Sequence, residues 1–140
     1  MARRTQILSN FVAHLAQNTD VLEENITTRY AYLHEVNDFP AVCMMPQSEL
    51  RVHRGADARQ GIINLFLRAY VYDGDDVMGA CDTLGASLET AAQSYAATQR
   101  SIQLEETRVT SFRTDEGLFQ PYGIVDMEIQ FLYEVSNEIK

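Results

Sequence analysis

Positive charge is scarce in this chain. Eleven Lys and Arg stand against 20 Asp and Glu, a formal net charge of −9 over 140 residues. That balance excludes a sequence-reading DNA binder, which needs a basic footprint to neutralise phosphates. It suits a surface past which DNA slides, because like charge discourages sticking. Cysteine is nearly absent. Cys43 and Cys81 fall on a predicted strand and a predicted helix, too few and too scattered for a disulfide framework or a zinc knuckle, and they read as buried free thiols of a reducing compartment. Long apolar runs are missing too, and nothing approaches the roughly 18 residues a membrane span needs. Met1-Ala2-Arg3-Arg4 is basic but leads into no apolar h-region. No secretory signal is expected, the protein is expected to be cytosolic where it is made, and the sequon Asn25-Ile26-Thr27 is inert.

Catalytic signatures are also lacking. His14, His34 and His53 are widely spaced, whereas a zinc site needs three or four converging ligands. Neither a Gly-x-Ser-x-Gly elbow nor a Cys–His context occurs, and Gly55 and Gly61 are too isolated for a phosphate loop. Asp73, Asp75 and Asp76 resemble part of a calcium loop, but without the remaining ligand spacing they read as a turn and a helix cap. No metal, no cofactor and no enzymatic activity are expected.

What is present is an ordered set of secondary elements. The apolar share of 46% supports a core, and the length fits a single domain over residues 1–140. Ile7, Leu8, Phe11, Val12 and Leu15 recur at helical spacing and predict a first helix over about Thr5–Gln17. Val21–Val36 reads as a loop with an extended part. Phe39–Met45, Glu49–Arg54 and Ile62–Tyr72 read as three consecutive strands bounded by Pro, Gly or Asp. In the third, Ile63, Leu65, Leu67, Ala69 and Val71 form one face. The other carries Asn64, Phe66, Arg68, Tyr70 and Tyr72, half aromatic and therefore in need of cover.

Val77, Cys81, Leu84, Leu88, Ala91 and Tyr95 mark a helix over about Asp75–Gln99, capped by Asp75 and Asp76. Thr107–Thr114 and Gly123–Val135 read as strands, with Asp115-Glu116-Gly117 as a turn. The last strand alternates Val125, Met127, Ile129, Phe131, Tyr133 and Val135 against Asp126, Glu128, Gln130 and Glu134. The order helix, loop, strands, helix, strands predicts an α+β fold. Its sheet is mixed and mostly antiparallel, with two helices packed on one face.

Two features point to assembly. Arg51, Arg54, Arg59 and Arg68 stand out in an acidic chain and suit an interface that meets the carboxylates of a neighbouring subunit. Phe66, Tyr70 and Tyr72 supply aromatic surface, and Asp126 and Glu128 the polar face of the last strand. These nine are the candidate subunit-interface residues. A small module gripping a partner through Phe66, Tyr70 and Tyr72 is the competing reading.

The order of elements resembles that of tail terminator proteins of long-tailed bacteriophages. The likeness is carried by Asn37-Asp38-Phe39-Pro40-Ala41-Val42, the run from Glu49 to Arg54, and Ile62–Tyr72 with Asp75-Asp76 opening a helix. The resemblance implies a structural subunit of a hexameric ring in the neck of the virion tail, made in the host cytoplasm. Such a ring sits on the last tail-tube ring, ends tube growth and offers a surface to the head-side connector, with DNA passing through its lumen without sequence-specific binding. A neighbouring neck or tail-completion protein is the alternative it leaves open.

Overall fold

The computed structural model describes residues 3–54 and 58–135, with the side chains of Arg54 and Ala58 excepted. The break expected at Gly55 lies outside the described residues.

Helix α1 spans Arg3–Asn18 and α2 spans Val77–Tyr95. Each exists because its apolar residues fall on one stripe. Ile7, Phe11 and Leu15 of α1 are fully buried, as are Leu88, Ala92 and Tyr95 of α2. The start of α2 is set by carboxylates. Asp76 is the N-cap and accepts from the Gly79 N–H at 3.0 Å, while Asp73 accepts from the N–H groups of Asp75 and Asp76. No helix among the described residues is long and apolar enough to cross a membrane.

The five strands are β1 (Ile26–Thr27), β2 (Ala41–Arg54), β3 (Ala58–Tyr72), β4 (Leu104–Thr114) and β5 (Tyr122–Val135), in the spatial order β1-β2-β3-β5-β4. β1 pairs parallel to β2, and every other pairing is antiparallel. The sheet is thus mixed, as expected, and the fold is α+β. The extended part of the Val21–Val36 loop is β1, flanked by single 3-10 turns at Glu23–Asn25 and Leu33–Glu35.

One expectation is corrected. Phe39–Met45 and Glu49–Arg54 are not two strands but one, β2, which runs through Pro46. In sequence a proline reads as a stop because it donates nothing to a ladder. Here the register slips between Pro46 and Ser48, and β1 covers β2 only at Val42 and Cys43. Pro46 therefore lies at a bulge on an open edge, the two places where a sheet tolerates it. The bulge also resets the alternation. Val42 and Met44 face the helices, and after the slip so does Glu49, opposite Ile63. Leu50 and Val52 turn to the other face, where they are exposed.

The core lies between the helices and one face of the sheet. Val42, Met44, Ile63, Leu65, Leu67, Val125, Met127, Ile129 and Phe131 meet Ile7, Phe11, Leu15, Leu84 and Leu88 there. Phe11 packs edge-on against Phe131, with ring centroids 5.0 Å apart, and lies 4.9 Å from Tyr95. Polar contacts fasten the helices to each other. The Tyr95 hydroxyl donates to the Ile7 carbonyl at 2.6 Å, and His14 Nε2 donates to the Ala91 carbonyl at 2.8 Å. That bond assigns the Nε2–H tautomer and leaves Nδ1 to accept from the Asn18 amide.

Candidate functional site

The sheet face away from the helices gathers several of the candidate residues into rows. Register sets Cys43, Arg68, Asp126 and Arg113 side by side across four strands, and Met45, Phe66, Glu128 and Ser111 in the next row. The Arg68 guanidinium forks onto Asp126, with Nε to Oδ1 at 2.7 Å and Nη2 to Oδ2 at 2.9 Å. Its third nitrogen, Nη1, donates to the Tyr30 hydroxyl at 2.9 Å, and the Phe66 ring centroid lies 5.5 Å from its carbon. Tyr70 is buried beside this pair and donates to the Ala31 carbonyl at 2.7 Å. Bonding to Asp126 outweighs burial and raises the Arg68 pKa still further. Burial, and then the Tyr30 hydroxyl, push the Tyr70 phenol up as well.

Arg68, Asp126, Phe66 and Tyr70 therefore meet in one cluster that clamps the Tyr30–Ala31 segment onto the sheet. The cover that the aromatic face required is this loop, at least over Tyr70. Tyr30 completes the clamp and was not among the candidates. Its signal in the sequence was only its place in an alternating, aromatic stretch. Glu128 is exposed, one row along beside Phe66.

A second cluster lies at the end of the sheet where β2 ends and β3 begins. Glu49 accepts from the Tyr133 hydroxyl and from Arg51, both in short contacts, and from Arg4 at 3.2 Å. Gly61 makes this possible: it stands opposite both Tyr133 and Arg51, and a Cβ there would overlap the Tyr133 ring. Glycine thus lets the tyrosine lie across β3 and reach β2. Arg51 sits 5.8 Å over the same ring. Arg59 is half-buried opposite Val135, and Arg54 is placed by its backbone alone.

Burial of Glu49 would raise its carboxyl, but Tyr133 and Arg51 together hold it below its ordinary value of 4.5. A depressed carboxylate contributes stability above the unfolded-state value and loses it as pH falls through the folded-state value. Glu49→Gln should thus melt below the parent at neutral pH, and the gap should close in melts taken progressively below pH 4.5. A gap that persists unchanged in acid would show that the Glu49 charge contributes nothing. Tyr133 works in the opposite sense. Burial and Glu49 push it up to about 12, so its contribution is complete below 10 and fades as pH rises through 12.

The opposite end of the sheet is acidic and aromatic. Tyr72 is 54% exposed and lies 5.3 Å from Tyr122 and 6.3 Å from Phe39, ring to ring. Asp73, Asp75 and Asp76 lead into α2, and the 115–121 turn folds back against them through the Asp73 N–H to Pro121 carbonyl bond of 3.0 Å. At its tip Leu118 is 76% exposed and Phe119 48% exposed, beside exposed Met78. Sequence reasoning missed this apolar tip. The signal was there in Leu118-Phe119, two large apolar residues between a turn and Pro121, where no core could use them. Among the described residues no cluster of His, Cys, Asp or Glu can hold a metal ion.

A family model described as "Bacteriophage Tail Tube Terminator Protein" matches residues 1–139. The chain belongs to that family. It is a structural protein of the virion tail, and its family is not one of enzymes. Among solved structures it is similar to a chain of a "Virion of native gene transfer agent (GTA) particle", at 7% identity and a TM-score of 0.45, covering 89% of this chain and 84% of that one. No curated protein matches it.

Proposed function

We propose that this tail terminator subunit forms a closed ring, hexameric by its family likeness, on the last ring of the tail tube. There it ends tube polymerisation and presents a surface for head joining, with DNA passing through the bore. The match over residues 1–139 carries this reading. The sheet supports it physically. Among the described residues β4 pairs only with β5, and the outer side of β2 is covered only at Val42 and Cys43, so both edges are open to a partner. Natural sheets leave long edges open where another chain covers them, and a heterologous contact repeated around an axis closes into a ring.

A tube lengthens because each ring offers the surface that the next ring needs. A terminator matches the tube on one side and denies that match on the other. The loop at 21–36, which adds only the two-residue edge strand β1 to the sheet, and the 115–121 turn supply the difference between the two sides. Arg51, Arg54 and Arg59 meet the carboxylates of a neighbouring copy. Exposed Glu128 lies towards a neighbour or the bore, and Tyr72 offers aromatic surface. Arg68, Asp126, Phe66 and Tyr70 serve the interface by holding the loop that forms part of it. The test is tail assembly without this protein. Overlong tubes that fail to join heads are expected, and tubes of normal length fully joined to heads would end the proposal.

A further inference from the structure

We infer that the acidic, aromatic cleft at the start of α2 receives the β2 arm of a second copy of this chain. The inference rests on the ring reading above and names the surface that meets the arginine-bearing arm.

The cleft has a volume of about 540 Å³ and is lined by Asp20, Phe39, Tyr72, Asp73, Asp76 and Leu84, among others. Asp73 and Asp76 accept backbone N–H groups at the start of α2, and none of the three carboxylates has an ion-pair partner among the described residues. An occupant that brings cationic charge together with apolar surface suits such a cleft. The arm brings both. Successive strand residues point to opposite sides, so one side of the arm shows Leu50 and Val52, 54% and 36% exposed, and the other shows Arg51 and His53. The Arg51 side chain is 46% exposed despite its contact with Glu49.

Arm and cleft lie at opposite ends of the same strands. β3 runs 15 residues from the arm to Tyr72, which at about 3.3 Å per residue is roughly 50 Å. A chain cannot fill its own cleft across that distance. The arm of one copy can fill the cleft of the next, and this contact is head-to-tail, the kind that closes into rings. The cleft end is acidic, with Asp20, Asp73, Asp75, Asp76, Asp115 and Glu116, whereas the arm end mixes Arg3, Arg4, Arg51 and Arg59 with Glu49, Glu105, Glu106 and Glu134. An acidic cleft favours the arginine-bearing arm and repels a second cleft.

The test uses full-length protein and two readouts. First, Val52→Cys and Thr83→Cys proteins, one marking the arm and one the cleft, are mixed and oxidised. Native Cys43 and Cys81 are buried. A disulfide-linked dimer that forms in the mixture, and not in either protein alone, is expected. Second, Asp20→Arg and Arg51→Glu should each weaken self-association about tenfold in sedimentation equilibrium, and the double variant should regain most of the loss, because the pair is restored with its signs exchanged.

Absence of the mixed dimer, or a double variant no better than the worse single one, overturns the arm-in-cleft contact. If protein lacking the contact still ends tube growth, the ring reading survives with a different interface. If the contact forms but tubes stop normally without the protein, the contact stands and the terminator role falls. Binding of the arm to tube protein with no mixed dimer assigns the arm to another protein and also overturns the inference.

Discussion

Leu88→Ala should cost about 2–5 kcal/mol of folding stability, the range for buried leucine truncations. Leu88 is 1% exposed and lies in the cluster that joins α2 to Ile129 and Phe131. The removed methyl groups lose their burial, and the surrounding side chains cannot all close the gap because the site is walled by two secondary-structure layers. For a domain of this size such a change lowers the melting temperature by several degrees at least. Leu84→Ala should cost less, since Leu84 is 7% exposed and borders the cleft. A thermal melt of Leu88→Ala coincident with the parent would mean that this helix face is wrongly assigned.

Arg68→Met should cost about 2 kcal/mol, and by a different route. The substitution keeps length and apolar contact with Phe66 but leaves Asp126, 12% exposed at its side chain, without its forked partner. Removing one member of a fully buried pair costs about 3–5 kcal/mol, and the 25% exposure of Arg68 lowers the figure here. Arg113, at 3.9 Å, offers only partial compensation. Replacing both partners, Arg68→Met with Asp126→Leu, should recover most of the stability, because the desolvated charge is then gone. The single variant should also expose the Tyr30–Ala31 segment to protease, since it loses the Tyr30 hydrogen bond. An Arg68→Met protein as stable and as protease-resistant as the parent would show that the clamp is not a stabilising feature.

The elements that sequence reasoning found were those whose burial follows a simple period. Phe11 and Leu15 repeat every four residues, and Val125, Met127, Ile129 and Phe131 every two. A core on one side of an element writes itself into the sequence in that way. The α+β class followed from the order of those elements. Pro46 misled because a ladder's tolerance for proline depends on which edge is covered, and only β1 pairing decides that.

The candidate interface was legible in composition but not in partnership. Arg68 and Asp126 were both singled out, yet 58 residues separate them and nothing local couples them. Their pairing follows from the β3–β5 register. Tyr133 shows the same limit. Its alternation placed it on the core side, but the path of its hydroxyl to Glu49 depends on Gly61, whose missing side chain carries no period at all.

The position of β5 bears on when this protein becomes competent to assemble. β3 and β4 both wait for it. β3 pairs with β5 from Arg59–Val135 to Tyr72–Tyr122, and among the described residues β4 has no other strand partner. On a growing chain, β3 therefore remains unpaired on one side, and β4 has no strand partner, until the residues up to Val135 have been made. The β3–β5 pairing, distant in sequence, forms slowly because the intervening chain must close before any contact rewards it, whereas β4 joins β5 as a local hairpin. During that interval the edges of β3 and β4 are as able to join a stranger as to join β5. A subunit that completes its sheet late cannot present finished contact surfaces early, so folding itself delays the ring until whole copies are available.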